Sequence, residues 1–209
     1  MYLSLGDSIG QRCCPAFADY LARKLNRNVQ TVNLAGDESS SDLITGVNHV
    51  RPSQLDKAVT AIQEYAAGGH PVVAVTLVTG LKDFELQVAS CGEATNACRE
   101  AMKSQFLTPF SERLGLTFSR LSSAETQAPP ILVLNYDRSG CDAADSKPFT
   151  IDDVNRTIAE AVSNSGGRLV DVALAPEGCD SRTGATPAPA WVDFIERELE
   201  TTYEALPTP

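Results

Sequence analysis

Ser8 is the first residue of this chain whose type and setting suit covalent chemistry. It closes the segment YLSLGDS at residues 2–8. Tyr2, Leu3 and Leu5 read as a short buried strand, and Gly6-Asp7-Ser8 as the turn that stops it. In an open α/β sheet, ligands bind just beyond the carboxyl ends of the strands. A serine held there on a tight turn before a helix is exposed, and the positive end of that helix favours a negative charge developing beside it. Such a hydroxyl suits nucleophilic attack. Gly, Asp and Ser are also common turn formers, so the tripeptide alone reads equally well as a plain turn.

Two later segments put polar residues at strand ends as well. NLAGDESSSDLI, residues 33–44, follows the second apolar run. It sets Gly36, whose bare backbone N–H can approach a ligand closely, on the same rim as Ser8. Ser39, Ser40, Ser41 and Asp42 then supply caps for a short helix. VTLVTGLKDFE, residues 75–85, carries the loop Thr79-Gly80-Leu81-Lys82-Asp83 after the third run. Each alone is a strand-to-helix turn; three together predict a concave polar site.

The elements that must position these loops follow from hydrophobic periodicity. Five apolar runs read as buried strands: 2–5, 29–34, 72–78, 131–134 and 169–172. Phe17, Leu21 and Leu25 form a helical stripe after Pro15, which suits a first-turn position. Leu55, Val59, Ile62 and Ala66 form another, with Ser53 as N-cap and Gly68-Gly69 as the stop. Ala101, Phe106, Phe110 and Leu114 make a third. Ile151, Val154, Ile158 and Val162 make a fourth, with Asp152 and Asp153 at the positive end of its dipole. Trp191, Phe194, Ile195 and Leu199 make the last. Alternating strands and helices predict a three-layer α/β/α sandwich around a parallel sheet. The expected flavodoxin-like strand order is 2-1-3-4-5, within one domain spanning 1–209.

Composition narrows the function classes. The 209 residues are 43% hydrophobic and 21% charged, as in an ordinary globular domain. A net charge of −10 argues against nucleic acid as a partner. No apolar run approaches the ~18 residues of a membrane span. No basic, hydrophobic leader precedes Tyr2, so no signal peptide is expected in this chain, although a leader trimmed ahead of residue 2 is compatible with secretion. The six cysteines allow disulfides. Cys91 and Cys98 flank a short loop whose ends can meet, and Cys141 and Cys179 follow strands on neighbouring loops. Adjacent Cys13 and Cys14 pair with each other only under strain. A Cys91–Cys98 bridge would place the chain in an oxidising compartment. With two histidines and no zinc-like spacing, neither metal nor cofactor is expected.

The chain resembles the SGNH, or GDSL, hydrolases. The strand with Gly6-Asp7-Ser8 matches that family's first block, whose serine is the nucleophile. Asn33-Leu34-Ala35-Gly36 matches the second, whose glycine N–H serves the oxyanion hole. Thr79-Gly80-Leu81-Lys82-Asp83 stands where the third, Gly-x-Asn-Asp, belongs. Order and spacing agree over nearly the whole chain. Two positions depart from the pattern. Lys82 replaces the asparagine that donates to the oxyanion, exchanging a fixed amide for a flexible cation. In the last block, Asp-x-x-His-Pro, the stretch here is Thr183-Gly184-Ala185-Thr186-Pro187, with threonine at both the aspartate and histidine positions.

A threonine hydroxyl is no general base at neutral pH. His70 precedes the third strand at the amino end of the sheet and reads as a loop or capping residue. His49, in the loop 46–52, can lie on the active rim and is the candidate substitute base, against the plainer reading of a solvated side chain. Asp137 and Asp180 fall near strand ends, where an exposed carboxylate is a weak base at pH 7. The resemblance thus implies a serine ester hydrolase with an altered site acting on a small-molecule ester or acylated substrate. Ser8 is its nucleophile; Ser8, Gly36 and Lys82 form its oxyanion hole; Asp7, Gly80, Asp83 and Thr186 line its substrate pocket. The alternative is a catalytically impaired relative that binds an acylated or glycan ligand. A purely structural domain explains the Gly-Asp-Ser turn least well.

Overall fold

The computed structural model describes residues 1–90, 96–136, 150–173 and 189–206. Its five parallel strands are β1 (Tyr2–Gly6), β2 (Thr31–Asn33), β3 (Ala74–Val78), β4 (Ile131–Leu134) and β5 (Arg168–Val170), in the order β2-β1-β3-β4-β5. The helices are α1 (Ser8–Lys24), α2 (Ser40–Thr45), α3 (Gln54–Ala67), α4 (Leu81–Ser90), α5 (Asn96–Ser122), α6 (Ile151–Ser165) and α7 (Pro189–Glu204). α1 and α7 pack together, while α5 packs against both α3 and α6. With right-handed crossovers this puts one set of helices on each face of the sheet.

Burial follows position in the sheet. Every residue of β1, β3 and β4 is buried, whereas the edge strands β2 and β5 are partly exposed. Strands covered on both faces need continuous apolar runs, and these are the runs that stand out in the sequence. The core clusters around aromatic rings: Tyr2 meets Phe17 edge-on at 5.4 Å, and Phe106 stacks on Phe110 at 5.3 Å.

Register aligns the functional rim. Tyr2 pairs with Thr31 and Ala74, and Gly6 with Val78, so the carboxyl ends of β1, β2 and β3 emerge side by side. The turn after β1 is tight. Gly6 has φ +108°, and a Cβ there would lie 1.6 Å from the carbonyl oxygen of Val78. No other residue fits.

Several expectations are revised. α1 starts at Ser8 rather than near Pro15, because Asp7 caps it. Packing of Phe17 and Leu21, both fully buried, outweighs the hydrogen bond that an interior proline cannot donate. α4 begins at Leu81, directly on the segment read as a loop. β2 is confined to Thr31–Asn33, shorter than the apolar run suggests, as befits an edge strand. The caps at Ser39 and Ser53 form as expected, each a full capping box with the aspartate three residues on.

Candidate active site

The turn after β1 is held from three sides. Asp7 N–H donates to Val78 O at 2.6 Å. The Asp7 carboxylate caps α1 by accepting from Ile9 N–H at 3.0 Å. Gln54, the first residue of α3 and 3% exposed, clamps Gly6 with its side-chain amide. Its Oε1 accepts from Gly6 N–H at 2.8 Å, and its Nε2 donates to Gly6 O at 3.0 Å. Ser8 sits half-buried at the first position of α1. Neither its hydroxyl nor its backbone N–H has a hydrogen-bond partner among the described residues. The first N–H groups of a helix have no partner within it, so Ser8 combines a free hydroxyl with an unspent donor.

Asp7 lies buried beneath this turn. Tyr136 Oη donates to its Oδ2 at 2.6 Å, and Tyr136 Oη in turn accepts from Leu81 N–H at 3.1 Å. Burial pushes the Asp7 carboxyl up to about 7, against the hydrogen bonds from Tyr136 and Ile9 that favour its charged form; the charge of Glu85 adds to the rise. Burial and the Asp7 charge likewise push the Tyr136 phenol well above its usual range.

Gly36 lies on the rim, but its N–H donates to Gly6 O at 2.9 Å. The donor that the resemblance assigns to an oxyanion is thus engaged within the frame. A Cβ at Gly36 would meet nothing within 4 Å, so this glycine borders open space. Lys82 Nζ pairs with Asp37 Oδ2 at 3.0 Å. The hydrogen bond it donates to Asp37 holds the Lys82 ammonium above its ordinary range, which keeps it cationic and removes it as a neutral-amine base. Asp83 turns inward: it accepts from Ser40 N–H at 2.6 Å and Ser40 Oγ at 2.8 Å, and Arg113 lies 3.6 Å away. Arg113 Nε also donates to Ser40 Oγ at 2.8 Å. Asp83 therefore ties α2, α4 and α5 together. Gly80, with φ +123°, leaves 2.7 Å between a would-be Cβ and the Phe110 ring. It is a close-packing position.

His49 is exposed in a 3-10 turn, Val47–His49, between α2 and α3, with φ +60°. No hydrogen bond joins it to Ser8. Gln54, five residues on, touches Gly6, so the loop bearing His49 leads directly to the Ser8 turn. His70 is exposed, its N–H donating to Tyr65 O at 2.9 Å, before β3 at the far end of the sheet. Thr183 and Thr186, Asp137 and Asp180, and Cys91, Cys141 and Cys179 lie outside the described residues, as do the side chains of Cys13 and Cys14. Cys98 is disulfide-bonded. Among the described residues, no three His, Cys, Asp or Glu side chains gather as a metal site requires.

The sequence reading missed Gln54, Tyr136 and Arg113. Tyr136 left a trace, since it stands just past a strand end on the ligand-binding side. Gln54 left none, because a polar residue after an N-cap is ordinary.

No protein-family model and no curated protein sequence matches the chain. Solved structures do. A lipase, Lip_vut3, from a goat rumen metagenome superposes with a TM-score of 0.68 over 96% of both chains at 14% identity. The acetylxylan esterase Axe2 from Geobacillus stearothermophilus gives 0.62 over 97% of this chain and 93% of that one, at 15% identity. A member of the lipolytic G-D-S-L family from Veillonella parvula gives 0.56 over 98% of both, at 12% identity. At these identities the likeness is one of fold, and the fold is that of the SGNH hydrolases.

Proposed function

We propose that the chain, as one domain over residues 1–209, is a serine ester hydrolase of the SGNH type with an altered active site. The carrying observation is Ser8: its hydroxyl and its N–H both lack partners among the described residues, at the head of α1, on the rim it shares with Gly36 and Lys82. Ser8 Oγ attacks the ester carbonyl of a small-molecule or acylated substrate. The oxyanion is met by the Ser8 N–H and the Lys82 ammonium. Gly36 N–H joins them by leaving Gly6 O, which keeps Gln54 Nε2 as its donor, so the exchange strands no carbonyl. Gly80 shapes the substrate-binding rim from below. His49 is the base available on the loop entering α3.

A serine without its base keeps only binding and oxyanion stabilisation; in one serine protease the loss of such a partner reached ~10⁶-fold in kcat. Weak hydrolysis of nitrophenyl acetate is therefore expected. Ser8→Ala abolishes it, and Thr186→His with Thr183→Asp raises it by restoring a base and its orienting partner. Robust turnover unaffected by Ser8→Ala refutes the assignment. Turnover that disappears in His49→Ala identifies His49 as the base.

One observation favours a second reading, in which the pocket binds an acylated or glycan ligand without cleaving it: no described base reaches Ser8. Equilibrium binding of a short-chain ester with no release of product separates the two. In either case the Cys91–Cys98 bridge expected from the sequence would fit an oxidising compartment.

A further inference from the structure

Tyr136 lies just beyond β4, 3% exposed, and its main chain is fixed from α6. Its N–H donates to Asn155 Oδ1 at 2.9 Å, and Asn155 Nδ2 donates to its carbonyl at 2.8 Å. This anchor delivers the phenol between two turns from other strands. An amide N–H can only donate, so the tyrosyl oxygen accepts from Leu81 at 3.1 Å. Its single proton is then committed to Asp7 Oδ2, at 2.6 Å. Asp7 caps the helix that begins with Ser8; Leu81 opens the helix whose next residue is Lys82. One hydroxyl thus holds both turns.

We propose that Tyr136 is a positioning residue of the active rim, its hydroxyl setting the turn that carries Ser8 against the turn that carries Lys82. This rests on the reading of Ser8 as nucleophile and Lys82 as oxyanion donor. The two groups must face one reacting carbonyl from different loops, and a misplacement of ~1 Å in such an arrangement can cost about 100-fold in rate. The local charges supply no substitute. The charge of Glu85 acts on Asp7, and those of Asp7 and Asp83 act on Tyr136, all of them carboxylates. Without the phenol, Asp7 Oδ2 loses its donor among like charges.

The test compares the wild type with Tyr136→Phe, which keeps the ring, and with Asn155→Ala, which loosens the same loop but leaves the hydroxyl. Three readouts are taken: the carbon-13 titration of the Asp7 carboxyl, the amide resonances of Ser8 and Lys82, and the rate at which a fluorophosphonate labels Ser8 by intact mass. In Tyr136→Phe the Asp7 midpoint should rise by about one pH unit, since a donor to the charged form is gone. Both amides should shift together, and labelling should slow at least about tenfold. Asn155→Ala should lower stability with a smaller change in the Asp7 midpoint. An unmoved midpoint, unmoved amides, or unchanged labelling beside shifted amides overturns the proposal. Should the wild type itself resist labelling, the hydrolase reading fails, and the midpoint and amides alone decide the positioning. If Tyr136→Phe does not fold, the wild type still decides: the buried phenolic proton should exchange slowly and show a cross-peak to the Leu81 amide, and its absence overturns the proposal.

Discussion

Replacing Asp7 with asparagine should remove a pH dependence that the wild type carries in its fold. The carboxyl is pushed up from the usual 3.8 of an aspartate to about 7 by burial. Between those values the folded chain holds a proton that the unfolded chain has released. Stability therefore falls as pH rises through this window, the reverse of an ion-paired carboxylate. The slope approaches 1.36 kcal/mol per pH unit. Integrated from pH 5 to pH 8, past the folded midpoint, it comes to about 2.5 kcal/mol. Asparagine retains the cap on Ile9, because its side-chain oxygen serves an N-cap as well as aspartate does. Its amide nitrogen then faces Tyr136, whose proton is left without an acceptor; that is a fixed offset of about 1–3 kcal/mol, independent of pH. The assay is urea unfolding of both proteins at pH 5, 6.5 and 8, plotting the difference between them. The wild type should lose about 2–3 kcal/mol relative to Asp7→Asn over that range. A flat difference shows that Asp7 does not titrate there. A difference of the opposite slope shows a carboxylate stabilised in its charged form, and refutes burial as the dominant influence on Asp7.

Gln54→Leu should preserve volume but leave the buried Gly6 N–H without its acceptor at 2.8 Å. The expected loss is about 2 kcal/mol, seen as a fall of roughly 4–8 °C in the thermal midpoint. Asp83→Ala strips Ser40 and Arg113 of their shared acceptor, and about 3 kcal/mol should be lost in urea unfolding. Arg113→Met should cost clearly less, because its contact with Asp83 is long at 3.6 Å and its side chain is partly exposed.

The sheet was legible because a central parallel strand must be apolar throughout, and β1, β3 and β4 are. Helices announced themselves where a cap and a stripe coincide, as at Ser53 before Leu55 and Ile62. Where the two conflict, local reading failed. Pro15 looked like a helix start, yet Asp7 had already begun α1. Thr-Gly-Leu-Lys-Asp looked like a turn, yet α4 starts within it. Ser8, Gly36 and Lys82 are candidates legible in the sequence because chain order places strand ends on one rim. Their supports are not. The Tyr136–Asp7 bond spans 129 positions and the Gln54–Gly6 clamp 48, and no local period encodes such a meeting. Asp83 drew attention as a polar rim residue, but its carboxylate serves the packing of α2 and α5 from inside.

The close approach of Gly6 to Val78 bears on how the Gly-Asp-Ser signature is to be weighed. With 1.6 Å available for a Cβ, selection for folding alone excludes every other residue at position 6. Position 7 is held almost as firmly, since its side chain must cap α1 and receive the Tyr136 proton. Position 8 alone is discretionary, because the Ser8 side chain supports nothing described around it. A chain that kept this sheet would thus keep Gly-Asp whatever its function, and only the third letter would be free to drift. In this fold the signature marks an architecture first; the serine is the one letter in it that the frame does not require.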